Sequence, residues 1–121
     1  MFKLLADIGV IITAILHLWF FILEFFLWKK PLGRKIFRTQ PEFAFQSAPL
    51  AANQGIYNGF LSAGLIWGLL SPDPIEAFHV KLFFLSCAFI AGIAGGVLVH
   101  LRILFIQALP ALITLLLLLM Q

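Results

Sequence analysis

The sequence predicts an all-α membrane protein: a bundle of four antiparallel transmembrane helices, with a basic interfacial segment between helices 1 and 2. Of its 121 residues, 63% are hydrophobic, against about 45–50% in soluble domains. So short a chain has too little interior to bury that much apolar surface in water. The apolar residues also form four runs, and a helix needs about 20 of them to cross a bilayer. We therefore expect residues 1–121 to form a single membrane domain.

Span one is predicted over about residues 4–28, directly after Lys3. It is longer than the apolar region of a signal peptide, and no small-residue cleavage site precedes Trp28, so we expect it to be retained. The polar segment 29–50 contains five basic residues together with Pro31, Pro41 and Pro49. We expect these prolines to break helices. Apolar side chains between the charges suit a segment that lies in the headgroup layer.

Spans two, three and four are predicted over about residues 51–70, 75–99 and 103–120. The sequence Ser71-Pro72-Asp73-Pro74 predicts a tight turn after span two, because two prolines cannot continue a helix. Short connections make consecutive helices antiparallel neighbours. Small residues four positions apart predict close helix contacts; they are the pairs Gly55 and Gly59, Gly64 and Gly68, and Gly92 and Gly96.

The basic residues predict the orientation in the membrane. One side carries six of them, Lys29, Lys30, Arg34, Lys35, Arg38 and Arg102, whereas the other carries Lys3 and Lys81. Cytoplasmic loops are enriched in Lys and Arg. We therefore expect a multi-pass protein of the bacterial cytoplasmic (inner) membrane with both termini outside. The net charge of +3 then indicates anionic lipid headgroups as partners instead of nucleic acid.

Span one carries ionisable residues on one face. His17, Glu24 and Trp28 are separated by seven and four residues, and seven and eleven residues are nearly whole numbers of helical turns. Ionisable groups in a span are costly and usually face the bundle interior. The structural alternatives are that Glu24 snorkels, His17 makes one hydrogen bond and Trp28 anchors the interface.

Span two begins with amides at the same expected depth. Gln54, Tyr57 and Asn58 lie at positions i, i+3 and i+4, which share a helix face, and Gln107 of span four is expected to enter the same layer. Such groups can instead act as structural links between helices. The candidate ligand-binding residues are His17, Glu24, Trp28, Asn53, Gln54, Tyr57, Asn58 and Gln107.

A smaller polar set is predicted at the opposite end of the spans. It contains Asp7, Glu76, His79 and Lys81, and we interpret it as an interfacial charge cluster in which Asp7 pairs with Lys81. The single cysteine, Cys87, cannot form an internal disulfide, and no CxxC or zinc pattern is present. The sequence thus indicates no metal, and it leaves any cofactor unknown.

Several of these residues occur in patterns that resemble the Domain of Unknown Function 1304 family of small membrane proteins. The resemblance lies in His17…Glu24…Trp28, the block from Asn53 to Leu61, Ala91-Gly92-Ile93, and Gln107 followed by Pro110-Ala111. The chain departs from the family pattern at Ala94, where a tyrosine is expected, and at Ala108, where a glycine is expected. The resemblance implies four spans and no established activity.

Three functions stay open from the sequence. The first is binding or transport of a small amphipathic or cationic molecule, with a layout similar to that of small multidrug exporters and a homodimer as the transporting unit. The second is an intramembrane enzyme acting on a lipid or isoprenoid, in which His17 and Glu24 would serve as acid and base; a nucleophile motif is absent. The third is a structural or accessory membrane subunit whose polar residues only fix helix packing.

Overall fold

The computed structural model describes residues 1–121 and contains helices and no strands, which confirms the predicted all-α class. The helices are α1 (Phe2–Phe25), α2 (Pro31–Phe37), α3 (Pro41–Leu70), α4 (Pro74–Leu98) and α5 (Leu109–Leu119). A π-helical segment over Leu104–Ala108 leads directly into α5. The chain divides into two compact units, one formed by Met1–Ile15 and Leu61–Gln121 and the other by Leu16–Phe60.

Two helices, α1 and α4, are long and apolar enough to cross a membrane by length and composition. The apolar helical stretch Leu104–Leu119 is shorter. Helix α3 has 30 residues, which is more than a bilayer core requires, but Asn53, Gln54 and Asn58 lower its hydropathy. The three amides that make α3 a candidate binding element therefore also lower the hydropathy by which a membrane span is recognised.

The core of the first unit is built from small and medium side chains. Small residues let helices approach closely, and Leu and Val then fill the remaining space. Around this core the glycines set the contacts between α3 and α4, where Gly64 faces the Phe84 ring and Gly68 faces Lys81. The partner number falls as the glycine number rises, so these helices are antiparallel. The buried cluster comprises Ala6, Val10, Ala14, Leu65, Leu85 and Leu118.

The predicted close contacts of Gly92 and Gly96 are confirmed. A Cβ atom added to Gly92 would lie 2.5 Å from the backbone nitrogen of Ala108, and one added to Gly96 would collide with Leu104. Both partners belong to the π-helical segment, which packs antiparallel to the end of α4. Pro110 explains the segment: its ring would clash with the carbonyl four residues earlier and it has no N–H to donate, so the preceding turn widens.

The predicted turn between α3 and α4 is also confirmed. Helix α3 ends at Leu70 and α4 begins at Pro74. Asp73 caps α4, because its side chain accepts a hydrogen bond of 2.9 Å from the backbone N–H of Ile75. Pro74 then occupies the first helical turn, where its missing N–H has no partner to lose.

The prediction that prolines break segment 29–50 is wrong in detail. Pro31 and Pro41 instead begin α2 and α3, and Pro49 lies inside α3. An internal proline leaves the carbonyl four residues earlier without its helical partner. Here that residue is Phe45, and both Phe45 and Pro49 are exposed, so the carbonyl is not stranded in a packed core. As a result α3 begins ten residues before the predicted start of span two.

Candidate functional site

The centre of the second unit is a hydrogen bond between a carboxylate and an amide. The Asn58 side-chain nitrogen of α3 donates to Oε1 of Glu24 on α1 over 2.5 Å. Glu24 is only 5% exposed, and Asn58 is buried as well. The polar layer predicts that Glu24 faces both Gln54 and Asn58; the contact with Asn58 is confirmed, whereas Gln54 is exposed.

Glycines on α3 bring the two helices together at this bond. A Cβ atom on Gly55 would lie 3.1 Å from the Cβ of Glu24, and Gly59 lies one turn further on against the Phe21 ring. Because glycine has no side chain, the α3 backbone can approach α1 closely enough for the short Asn58 amide to reach the carboxylate. The Gly55-xxx-Gly59 pattern therefore positions the polar pair.

Glu24 has no positively charged partner in the structure. The ion pairs of the chain join Asp7 to Lys3 and to Lys81, and neither involves Glu24. An ionised carboxylate away from water needs a compensating positive charge or a proton, since a neutral amide offsets only part of its desolvation. The arrangement can therefore accept a cation or hold a proton.

His17 is fully buried on α1 and lies edge-on to the Phe20 ring, with centroids 5.7 Å apart. It stands seven residues before Glu24, which is about 10.5 Å along the helix axis. Direct proton exchange between the two side chains would need a bridging group at that separation. Gln107 lies half-buried in the π-helical segment of the first unit.

Trp28 does not share a helix face with His17 and Glu24, and that prediction is corrected. Helix α1 ends at Phe25, so Trp28 follows it in a turn. Its indole N–H donates to the hydroxyl of Ser47 over 3.0 Å, and its ring packs on Phe37 at a centroid distance of 4.8 Å. These contacts connect the end of α1 to α2 and α3, which is a structural role.

Three predicted site residues on α3 are exposed. Asn53 and Gln54 lie at the surface of the chain, and Tyr57 is 57% exposed with its ring edge near Phe60. Sharing a helix face was expected to place Gln54 and Tyr57 with Asn58, but the contact with α1 covers Gly55, Asn58 and Gly59 and leaves Gln54 and Tyr57 outside it. The structure thus brings Glu24 and Asn58 together and leaves these three side chains at the surface.

The family described as "Protein of unknown function (DUF1304)" matches residues 11–119. The chain belongs to this family. Comparisons with curated proteins and with solved structures found no match. The resemblance seen in the sequence is thereby confirmed, and the matched DUF1304 region contains Glu24, Asn58 and all the other predicted site residues.

This DUF1304 chain has a second polar cluster, in its first unit. Asp7 accepts hydrogen bonds from Lys3 over 2.8 Å and from Lys81 over 2.5 Å, so the predicted Asp7–Lys81 pair is confirmed. The pair borders a cavity of about 390 Å³. Sequence reasoning found the charges but missed the cavity, because the turn and the C-terminal residue that line it are distant in the chain.

No group of three or more His, Cys, Asp or Glu side chains is arranged to hold a metal ion. Glu24 and Asn58 supply two oxygen- or nitrogen-bearing groups, which is fewer than Ca²⁺ or Zn²⁺ sites use.

Proposed function

We propose that this protein is a four-span integral membrane protein that binds a small cationic or amphipathic molecule at Glu24. One observation carries the proposal: Glu24 is buried, its hydrogen-bond partner is a neutral amide, and no lysine or arginine pairs with it. A ligand ammonium group would supply the missing charge. Asn58 would hold the carboxylate in place while the ligand binds.

The surface of the chain supports a membrane location. Large apolar side chains are exposed along each of the four long helices, among them Ile12 and Ile15 on α1, Phe60 and Trp67 on α3, Ile90 and Val97 on α4, and Ile113 and Leu116 on α5. Soluble monomers rarely expose contiguous apolar surface on this scale. Lipid tails would cover it without cost.

The proposal predicts selective loss of cation binding when the charge of Glu24 is removed. The purified protein in phosphatidylcholine nanodiscs is titrated with hexyltrimethylammonium, hexanol and hexanoate. Each ligand has an unbranched six-carbon chain, and the end groups are cationic, neutral and anionic, respectively. Wild type should bind the cation more tightly than hexanol, the uncharged member of the series. Glu24→Gln should weaken cation binding about ten-fold or more, because a charge-assisted contact contributes about 1.5–3 kcal/mol, and Glu24→Asp should retain part of it.

The matched control is Glu42→Gln, which removes an exposed carboxylate from the same unit. It should leave cation binding unchanged. Equal binding of the cation and of hexanol by wild type, or undiminished cation binding by Glu24→Gln, would contradict the proposal. Either result would favour an accessory role in which the Glu24–Asn58 bond only joins two helices.

The proposed topology places both termini outside the cytoplasmic membrane and the basic segment inside. The test starts from a Cys87→Ala background, which has no other cysteine, and adds Arg34→Cys or the exposed Asp73→Cys. In intact cells a membrane-impermeant maleimide should label position 73 and spare position 34 until the cells are opened. Labelling of position 34 in intact cells would refute this orientation.

A further inference from the structure

The cavity in the first unit lies where the start of α1, the turn before α4 and the end of α5 meet. Its polar wall includes Lys3, Asp7 and Lys81, and its apolar wall includes Leu69 and Phe78. At about 390 Å³ it falls within the usual range of small-molecule pockets, roughly 300–1,000 Å³. The combination of a charged wall and an apolar wall is suited to a ligand with one polar end.

Lys81 is the most informative residue of this wall. Its side chain is only 6% exposed, and a lysine ammonium carries three N–H donors. One donor is used by Asp7 over 2.5 Å, which leaves two donors for groups inside the cavity that Lys81 lines. Donors left unsatisfied in a buried ammonium are costly, so the cavity beside Lys81 should hold an acceptor.

The charges around the cavity favour an anion as that acceptor. Two ammonium groups, of Lys3 and Lys81, face one carboxylate, of Asp7, which leaves an excess of one positive charge among these side chains. The nearby acids are engaged elsewhere: Asp73 caps α4, and Glu76 accepts a hydrogen bond from Ser71. An incoming anion would therefore meet the ammonium groups of Lys3 and Lys81 beside a single carboxylate, that of Asp7.

We propose that this cavity binds the carboxylate or phosphate group of a small amphipathic anion. The anionic group would bridge Lys81 and Lys3 beside Asp7, and the apolar part would lie against Leu69 and Phe78. This site is separate from Glu24 and requires the opposite ligand charge. The anion could come from a lipid headgroup or from a free amphiphile, because both present the same oxygen acceptors.

The first arm of the test uses the hexyl series in phosphatidylcholine nanodiscs. Hexanoate should bind wild type, and Lys81→Met should weaken that binding about ten-fold or more through loss of a charge-assisted contact. Lys3→Gln should weaken it by a smaller factor, since that side chain is 73% exposed and exposed charges are screened. Glu24→Gln should not change it, which separates this site from the proposed cation site.

The second arm distinguishes the sources of the anion. In nanodiscs with one-third phosphatidylglycerol, a lipid-binding site would be occupied, so hexanoate would compete poorly and native mass spectrometry would retain phosphatidylglycerol on wild type and not on Lys81→Met. A site for free amphiphiles would bind hexanoate equally in both membranes.

If Lys81→Met fails to fold, the variant Ala77→Phe is used in its place, because a phenylalanine on the cavity wall would occupy the cavity. Hexanoate binding equal to that of hexanol, or unaffected by Lys3→Gln and by either cavity variant, would overturn the proposal.

Discussion

Replacing Gly92 by leucine is expected to destabilise the protein strongly. The glycine lies against the backbone of the π-helical segment, and an added Cβ atom would be 2.5 Å from the nitrogen and 2.7 Å from the Cα of Ala108. A backbone cannot rotate away as a flexible side chain can, so the two helices would have to separate. Overpacking typically costs about 1–3 kcal/mol, and a backbone collision places Gly92→Leu at the upper end or beyond.

The measurement is the midpoint of thermal unfolding in detergent, and Ala91→Leu is the matched control. Ala91 is the preceding residue on the same helix and is exposed, so its substitution adds the same side chain outside the helix contact. It should leave the midpoint nearly unchanged. If both variants unfold at the same temperature, the close contact between α4 and the π-helical segment is not what stabilises this unit.

The sequence was sufficient to predict which glycines make close contacts with another helix. Small residues four positions apart lie on one face of a helix, and in apolar helices a missing side chain has little purpose other than close approach. Gly64, Gly68, Gly92 and Gly96 all meet a neighbouring helix. The pattern worked because it depends on local spacing alone, which the helical geometry fixes.

The end of α1 and the start of α3 could not be predicted in the same way. Trp28 is three residues past the end of α1, although the apolar run continues to it. The hydropathy of a segment measures how strongly it prefers lipid to water. It does not indicate at which residue the backbone hydrogen bonds of the helix end. Pro49 was expected to end a helix, but an exposed proline with an exposed carbonyl partner is tolerated inside α3.

Only part of the candidate site could be predicted, for a related reason. Helical phase and depth predict that Glu24 faces Gln54 and Asn58. The Asn58 contact forms where Gly55 lets α3 approach α1, and Gln54 lies outside it. The width of the contact between α1 and α3 determines how many side chains next to Asn58 are buried in it, and this width cannot be read from the local sequence. Tyr57 is one position away from Asn58 and is largely exposed.

Removing the charge of Asp7 should have the largest effect on stability of any single substitution considered. Asp7 is the counter-charge of Lys81, whose side chain is 6% exposed, and the bond between them is 2.5 Å long. Asp7→Asn keeps the shape and one acceptor oxygen but leaves a buried ammonium without a negative partner. Breaking a buried pair in this way typically costs about 3–5 kcal/mol.

The reverse substitution should cost less, and that asymmetry is the sharper test. In Lys81→Met, Asp7 keeps its second partner, Lys3, at 2.8 Å, and no charge is left buried alone. The double variant Asp7→Asn with Lys81→Met should therefore be more stable than Asp7→Asn by itself. Thermal unfolding of wild type, both single variants and the double variant in one detergent gives the complete cycle. A double variant no more stable than Asp7→Asn would show that the cost does not arise from the unpaired Lys81 ammonium.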